Sequence, residues 1–159
     1  MLFDTQPDDQ HQFQLGDFGL CNHAACAATT VGTPLYMAPE MFQKGKQTHK
    51  ADVWSLFVTM LWTLDVWGFR QLSAEYRSPG EAYEAVLFTA SNEEVMRNIR
   101  EMAIANPEMR ASAAQMFVKC FQGAGLSTPQ DQVLPPIDFP AVQGIKAPAK
   151  APSSASRGV

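Results

Sequence analysis

Apolar residues cluster most densely between Val53 and Leu64, where Val53, Trp54, Leu56, Phe57, Val58, Met60, Leu61, Trp62 and Leu64 follow one another without a charge. At 3.6 residues per turn these positions lie all round a helix, so the stretch from Lys50 to about Val66 predicts a helix at the centre of a domain. Thr48 stands in place to cap it. Asp65 ends the uncharged run after twelve residues, too few to cross a bilayer. Before it, Met1-Leu2-Phe3 and Phe13-Gln14-Leu15 read as two short strands about a polar turn. Residues 38–45 predict a short helix ending at Gly45. After the central helix, 81–90 and 92–105 are amphipathic and predict helices, with Ser91 or Asn92 capping the second. Ala111 to about Gln122 predicts the last helix, closed by Gly123. From 123 to 159 periodicity stops and Pro, Ala, Ser and Gly dominate, as in a disordered tail. The domain then runs over 1–122 and the tail over 123–159.

Composition narrows the function classes. With 159 residues, 46% apolar and 18% charged, the chain is globular and of one-domain size. A net charge of −4 and the lack of a basic run argue against nucleic-acid binding. No apolar leader follows Met1, and three cysteines make a sparse, odd set, which fits an intracellular compartment, cytoplasmic or nuclear. Cys21, His23 and Cys26 lie close together, but no fourth ligand stands near them, so a zinc site is not expected.

The chemistry concentrates in 17–40. This stretch opens with Asp17-Phe18-Gly19, continues through small residues, and closes with Gly32-Thr33-Pro34-Leu35-Tyr36-Met37-Ala38-Pro39-Glu40. Together these resemble the activation segment of a protein kinase, from Asp-Phe-Gly to Ala-Pro-Glu. Ala51-Asp52-Val53-Trp54-Ser55-Leu56 resembles the start of the central helix of the kinase C-terminal lobe, with Phe57 where the family usually has Gly. Asn106 to Ala113, carrying Arg110, resembles the approach to that lobe's last helix.

The resemblance implies a mainly α kinase C-terminal lobe that begins with a short β-hairpin. It makes Asp17 the Mg²⁺ ligand, Phe18 a reporter of loop state, and Gly19 the residue that lets the backbone swing. Thr29 and Thr30 become candidates for activating phosphorylation, and Thr33 before Pro34 points to the Ser/Thr class. Leu35 and Tyr36 would shape the pocket for the residue after the phosphoacceptor. Glu40 and Arg110 would form a buried ion pair, Asp52 would anchor the catalytic-loop backbone, and Trp54 would serve the core. ATP and Mg²⁺ are the implied cofactors and a protein the implied substrate, with no nucleic acid and no membrane.

Several kinase parts have no counterpart between Met1 and Val159. They are the Gly-rich loop, the Val-Ala-Ile-Lys strand, the Glu helix and the His-Arg-Asp loop. No catalytic base is expected in this chain; the resemblance places it upstream of Met1. A fragment inactive by itself is therefore expected, and the alternative is a non-catalytic, pseudokinase-like scaffold. Either way the central helix should need the missing half or a partner as cover, over a patch around Phe57, Leu61 or Leu64.

Overall fold

The computed structural model describes residues 2–5, 11–14, 33–43, 47–92 and 94–139. Strands β1 (Leu2–Thr5) and β2 (His11–Gln14) pair antiparallel, with Leu2 opposite Gln14 and Thr5 opposite His11. The rest is helical: α1 (Pro39–Phe42), α2 (Lys50–Thr63), α3 (Phe69–Ser73), α4 (Pro79–Asn92) and α5 (Ala113–Phe121), joined by short 3-10 turns.

Helix α2 is the axis of the core. It buries Ala51, Val53, Trp54, Phe57, Val58 and Leu61. Around it pack Ala85, Val86 and Ala90 of α4, Phe69 of α3, Met102, Ala103 and Ile104, and Met116 of α5. Phe57, the departure from the family's glycine, is wholly buried. The patch expected in water is therefore different. Phe57 and Leu61 are 0% exposed, while Leu64 is 55% and Leu56 44% exposed. Leu56 sits at the margin of the core-facing stripe, and Leu64 follows the last residue of the helix, where the core no longer covers it.

Helix α2 also ends earlier than the sequence predicts, at Thr63. Asp65 and Trp67 adopt left-handed backbone, with φ of 49° and 58°. Arg70 accounts for the stop: its Nε donates to the Trp62 carbonyl at 2.8 Å and its Nη2 to that of Thr63 at 2.7 Å. The guanidinium lies 5.1 Å from the Trp62 ring, so one cation satisfies the helix's last carbonyls and its dipole.

The single helix expected over 92–105 is not formed. Two 3-10 turns, Glu94–Met96 and Arg100–Ala103, take its place. Ser91 and Asn92 do not cap a new helix; their side chains donate back to Leu87 and Phe88 carbonyls, which extends α4. Downstream, the carbonyls of Ile104 and Ala105 are taken by Arg110, so neither serves a helical ladder. α5 begins with a capping box: Ser112 Oγ accepts from Gln115 N–H while Gln115 Oε1 accepts from Ser112 N–H.

Past α5 the chain turns at Gly123, whose φ is +72° and whose N–H reaches the Phe117 carbonyl at 2.9 Å. Residues 124–139 carry one 3-10 turn, Gln130–Gln132, and leave Leu134 and Ile137 exposed as a solvated tail would. Phe139 differs: it is 8% exposed, joins the core, and lies 5.6 Å under the Arg100 guanidinium. Among the described residues no helix is long and apolar enough to cross a membrane.

Candidate activation-segment anchor

Residues 33–42 form a short irregular path whose shape follows from two prolines. Pro34 starts a 3-10 turn over Pro34–Tyr36, closed by Tyr36 N–H to Thr33 O at 3.0 Å and Met37 N–H to Pro34 O at 3.2 Å. Met37 and Ala38 are extended, the conformation a residue before proline prefers. Pro39 then opens α1 at a position where the missing N–H costs nothing. This places Glu40 in the first helical turn, pointing inward and 6% exposed.

Arg110 meets it. Nη1 donates to Glu40 Oε1 at 2.7 Å and Nη2 to Oε2 at 2.8 Å. The remaining donors are also occupied. Nε reaches Ile104 O at 2.7 Å, Nη1 also Lys50 O at 2.9 Å, and Nη2 also Ala105 O at 3.0 Å. A guanidinium has five N–H groups, and all five are used. The face of the fork lies 5.2 Å from the Trp54 ring, which in turn stacks on Tyr83 at 5.9 Å. One buried cation therefore joins α1, the start of α2, the 104–105 turn and the approach to α5.

A second tie lies beside it. Ser55 Oγ is 2.8 Å from the Tyr36 carbonyl and 3.1 Å from that of Ala51. It holds the 3-10 turn of the segment against α2. A third contact braces the far side: Lys119 Nζ to Glu101 Oε1 at 2.7 Å, with Glu101 O accepting from Ala111 N–H at 3.2 Å.

Of the residues singled out in the sequence, Glu40, Trp54 and Arg110 come together. Thr33 is exposed at the start of the path, and Asp52 is exposed in the first turn of α2, where its charge suits the helix dipole. Asp17, Phe18, Gly19, Thr29 and Thr30 lie outside the described residues, as do Cys21, His23 and Cys26. Among the described residues no cluster of His, Cys, Asp or Glu could hold a metal ion. Sequence reasoning did not find the role of Ser55. It also missed the three carbonyl partners of Arg110, because backbone acceptors carry no residue signature.

Next to the clamp an open groove of about 570 Å³ runs between α1, the start of α4 and the 105–107 turn. Met37, Pro39, Phe42, Pro79, Tyr83 and Pro107 line it. Burial raises the Tyr83 phenol pKa, with Arg110 acting the other way.

The sequence is 34% identical over 138 residues to CBL-interacting serine/threonine-protein kinase 10 of Arabidopsis thaliana, covering 79% of this chain and 28% of that protein. It is 30% identical over 139 residues to the dual serine/threonine and tyrosine protein kinase of Xenopus tropicalis, covering 87% of this chain and 14% of that protein. A 53-residue stretch is 47% identical to serine/threonine-protein kinase Nek2 of Mus musculus, 31% of this chain and 12% of that one. The chain thus spans less than a third of the length of these relatives. No solved structure gives a significant match. The family description "Protein kinase domain" matches residues 1–121, and the chain belongs to the protein kinase family.

Proposed function

We propose that this chain is the C-terminal-lobe portion of a serine/threonine protein kinase, which transfers phosphate from ATP to protein hydroxyls. The observation that carries the reading is the Glu40–Arg110 clamp at the end of Gly32-Thr33-Pro34-x-Tyr36, with Ser55 tying Tyr36 to the central helix. A substrate-binding segment must be held rigidly, because misplacement by an ångström costs orders of magnitude in rate. The clamp and the Ser55 tie supply that rigidity for residues 34–40. In this reading Thr33 faces the catalytic residues, Leu35 and Tyr36 shape the pocket beside the phosphoacceptor, and phosphorylation of Thr29 or Thr30 orders the loop. Asp17 is the candidate ligand for Mg²⁺, which when bound neutralises charge on the ATP phosphates. The 159 residues hold neither base nor ATP lysine, so they do not transfer phosphate by themselves. A second reading is a non-catalytic binding module, and the groove beside the clamp favours it.

The test has two arms. The native gene product, given labelled ATP and Ser, Thr and Tyr peptides, should label Ser or Thr, and Asp17→Asn should abolish the labelling. The 159-residue chain alone should give no more label than its own Asp17→Asn variant. A native product that labels nothing would support the binding-module reading instead.

A further inference from the structure

The groove beside the clamp is lined from α1, the start of α4 and the 105–107 turn. We propose that it seats the chain's own carboxy-terminal stretch, residues 144–152, Gly-Ile-Lys-Ala-Pro-Ala-Lys-Ala-Pro. Three observations carry this: the chemistry of the walls, the balance of charge, and the point at which the described chain ends.

The walls are apolar and rich in flat surfaces. Three prolines, Phe42 and Tyr83 contribute to them. Grooves of proline and aromatic rings suit extended proline-containing segments, which lose little entropy on docking. Residues 144–152 offer two prolines four apart, Pro148 and Pro152, with alanine beside each and Ile145 at the start. None of these side chains is too bulky for an open groove.

The charges are complementary. Before residue 140 the chain carries nine Lys and Arg against sixteen Asp and Glu. From 140 on it carries Lys146, Lys150 and Arg157 and no acid. Exposed carboxylates stand on the groove's rim. Glu84 follows Gly80 by one turn of α4, on the side where Gly80 and Tyr83 line the groove. Glu108 is next to Pro107, also a lining residue. Lys50 reaches the backbone carbonyl of Glu108, at 3.1 Å, rather than its carboxylate. In an extended stretch Lys146 and Lys150 stand about 12 Å apart, so the two cations are presented separately.

The exit point sets the reach. Phe139 is anchored beneath Arg100, and Arg100 precedes the groove residue Ala105 by five positions. Five residues span at most about 18 Å, and the five steps from Phe139 to Gly144, where the seated stretch begins, cover about the same distance when extended. A connection this short loses little entropy on closing. Because Met37, Pro39 and the clamp residue Glu40 line the groove, a seated tail lies against the end of the candidate activation segment. The inference does not depend on phosphoryl transfer.

The test is hydrogen exchange followed by mass spectrometry on the dilute full chain at low salt. Amides of residues 80–84 and 105–109 should exchange several-fold more slowly in the native chain than in Lys146→Glu/Lys150→Glu. High salt should remove the difference. Glu84→Lys/Glu108→Lys should lose the protection equally, and combining all four reversals should restore it. All four altered charges are exposed or belong to residues 144–152, so circular dichroism should be the same throughout. Equal exchange in every variant would overturn the proposal. So would protection that grows with protein concentration, which would place the tail in the groove of a second copy.

Discussion

Arg110 grips both oxygens of Glu40, at 2.7 and 2.8 Å, across seventy residues of sequence. Both side chains are buried, at 1% and 6% exposure. Removing either partner leaves a charge with no solvent and no counterion. Glu40→Ala should therefore lower stability by about 3–5 kcal/mol, read as the shift of a urea midpoint. Arg110→Lys should be nearly as damaging, since an ammonium has three donors where five are engaged here. A lysine variant within ~1 kcal/mol of the parent would show that charge, and not the fork, is what the site needs.

Phe139 defines the second prediction. Its ring is buried under Arg100, while its neighbours Leu134 and Ile137 are exposed. Phe139→Ala should cost about 3 kcal/mol, at the low end for a buried phenylalanine because the cavity opens near the surface. Ending the chain at Gln122 should cost at least as much yet leave helix content, counted in residues, nearly the same. Equal midpoints for the full chain and Phe139→Ala would mean that the strap 124–139 does not dock.

How much of this was legible beforehand differs from residue to residue. The central helix was plain, because nine large apolar side chains between 53 and 64 can only be buried by neighbours. Its core-facing side was not. Phe57 and Leu61 carry the same kind of side chain as Leu56 and Leu64, and only the positions of α4 and α5 separate them. The Glu40–Arg110 pairing came from motif resemblance alone; nothing in periodicity joins residues so far apart. The break of 92–105 into two 3-10 turns was hidden, since its amphipathic pattern is that of a helix. The Ile104 and Ala105 carbonyls that Arg110 takes from that stretch are not written in side chains. Phe139 was the same kind of omission: a single aromatic in a Pro-rich run gives no period, yet one ring can anchor a strap.

Tyr76 gives a pH-dependent prediction. Its hydroxyl is buried without a hydrogen-bond partner, and its ring meets Phe69 edge-on with centroids 6.3 Å apart. Burial, with Glu81 adding to it, pushes the phenol from its usual value of 10.0 up to about 12. The folded chain thus holds this proton more tightly than the unfolded one. The contribution to stability is complete below pH 10 and is lost between 10 and about 12, as the unfolded chain ionises first. Tyr76→Phe removes both the orphan hydroxyl and the titration. It should match or exceed the parent in stability at neutral pH. Its advantage should widen as pH climbs from 10 towards 12. Parallel stability curves across that window would refute the assignment.

The last prediction concerns the open side of α2. Leu56 is 44% and Leu64 55% exposed, with half-buried Met60 between them at four-residue spacing. They form an apolar stripe on the helix that otherwise centres the core. Trp62 stands apart from it and is covered on one face by Arg70. Contiguous exposed apolar surface drives self-association when nothing else covers it. The 159-residue chain should therefore bind a hydrophobic dye and elute larger than a monomer. Leu56→Lys/Leu64→Lys should reduce both effects. Because these side chains are already half in water, the same change should move the unfolding midpoint by less than about 1 kcal/mol. The contrast with Phe57→Ala is the control: that residue is wholly buried, and its loss should cost about 3–5 kcal/mol. A native chain that is monodisperse and dye-free would show that this side of α2 is already covered by residues of the chain itself.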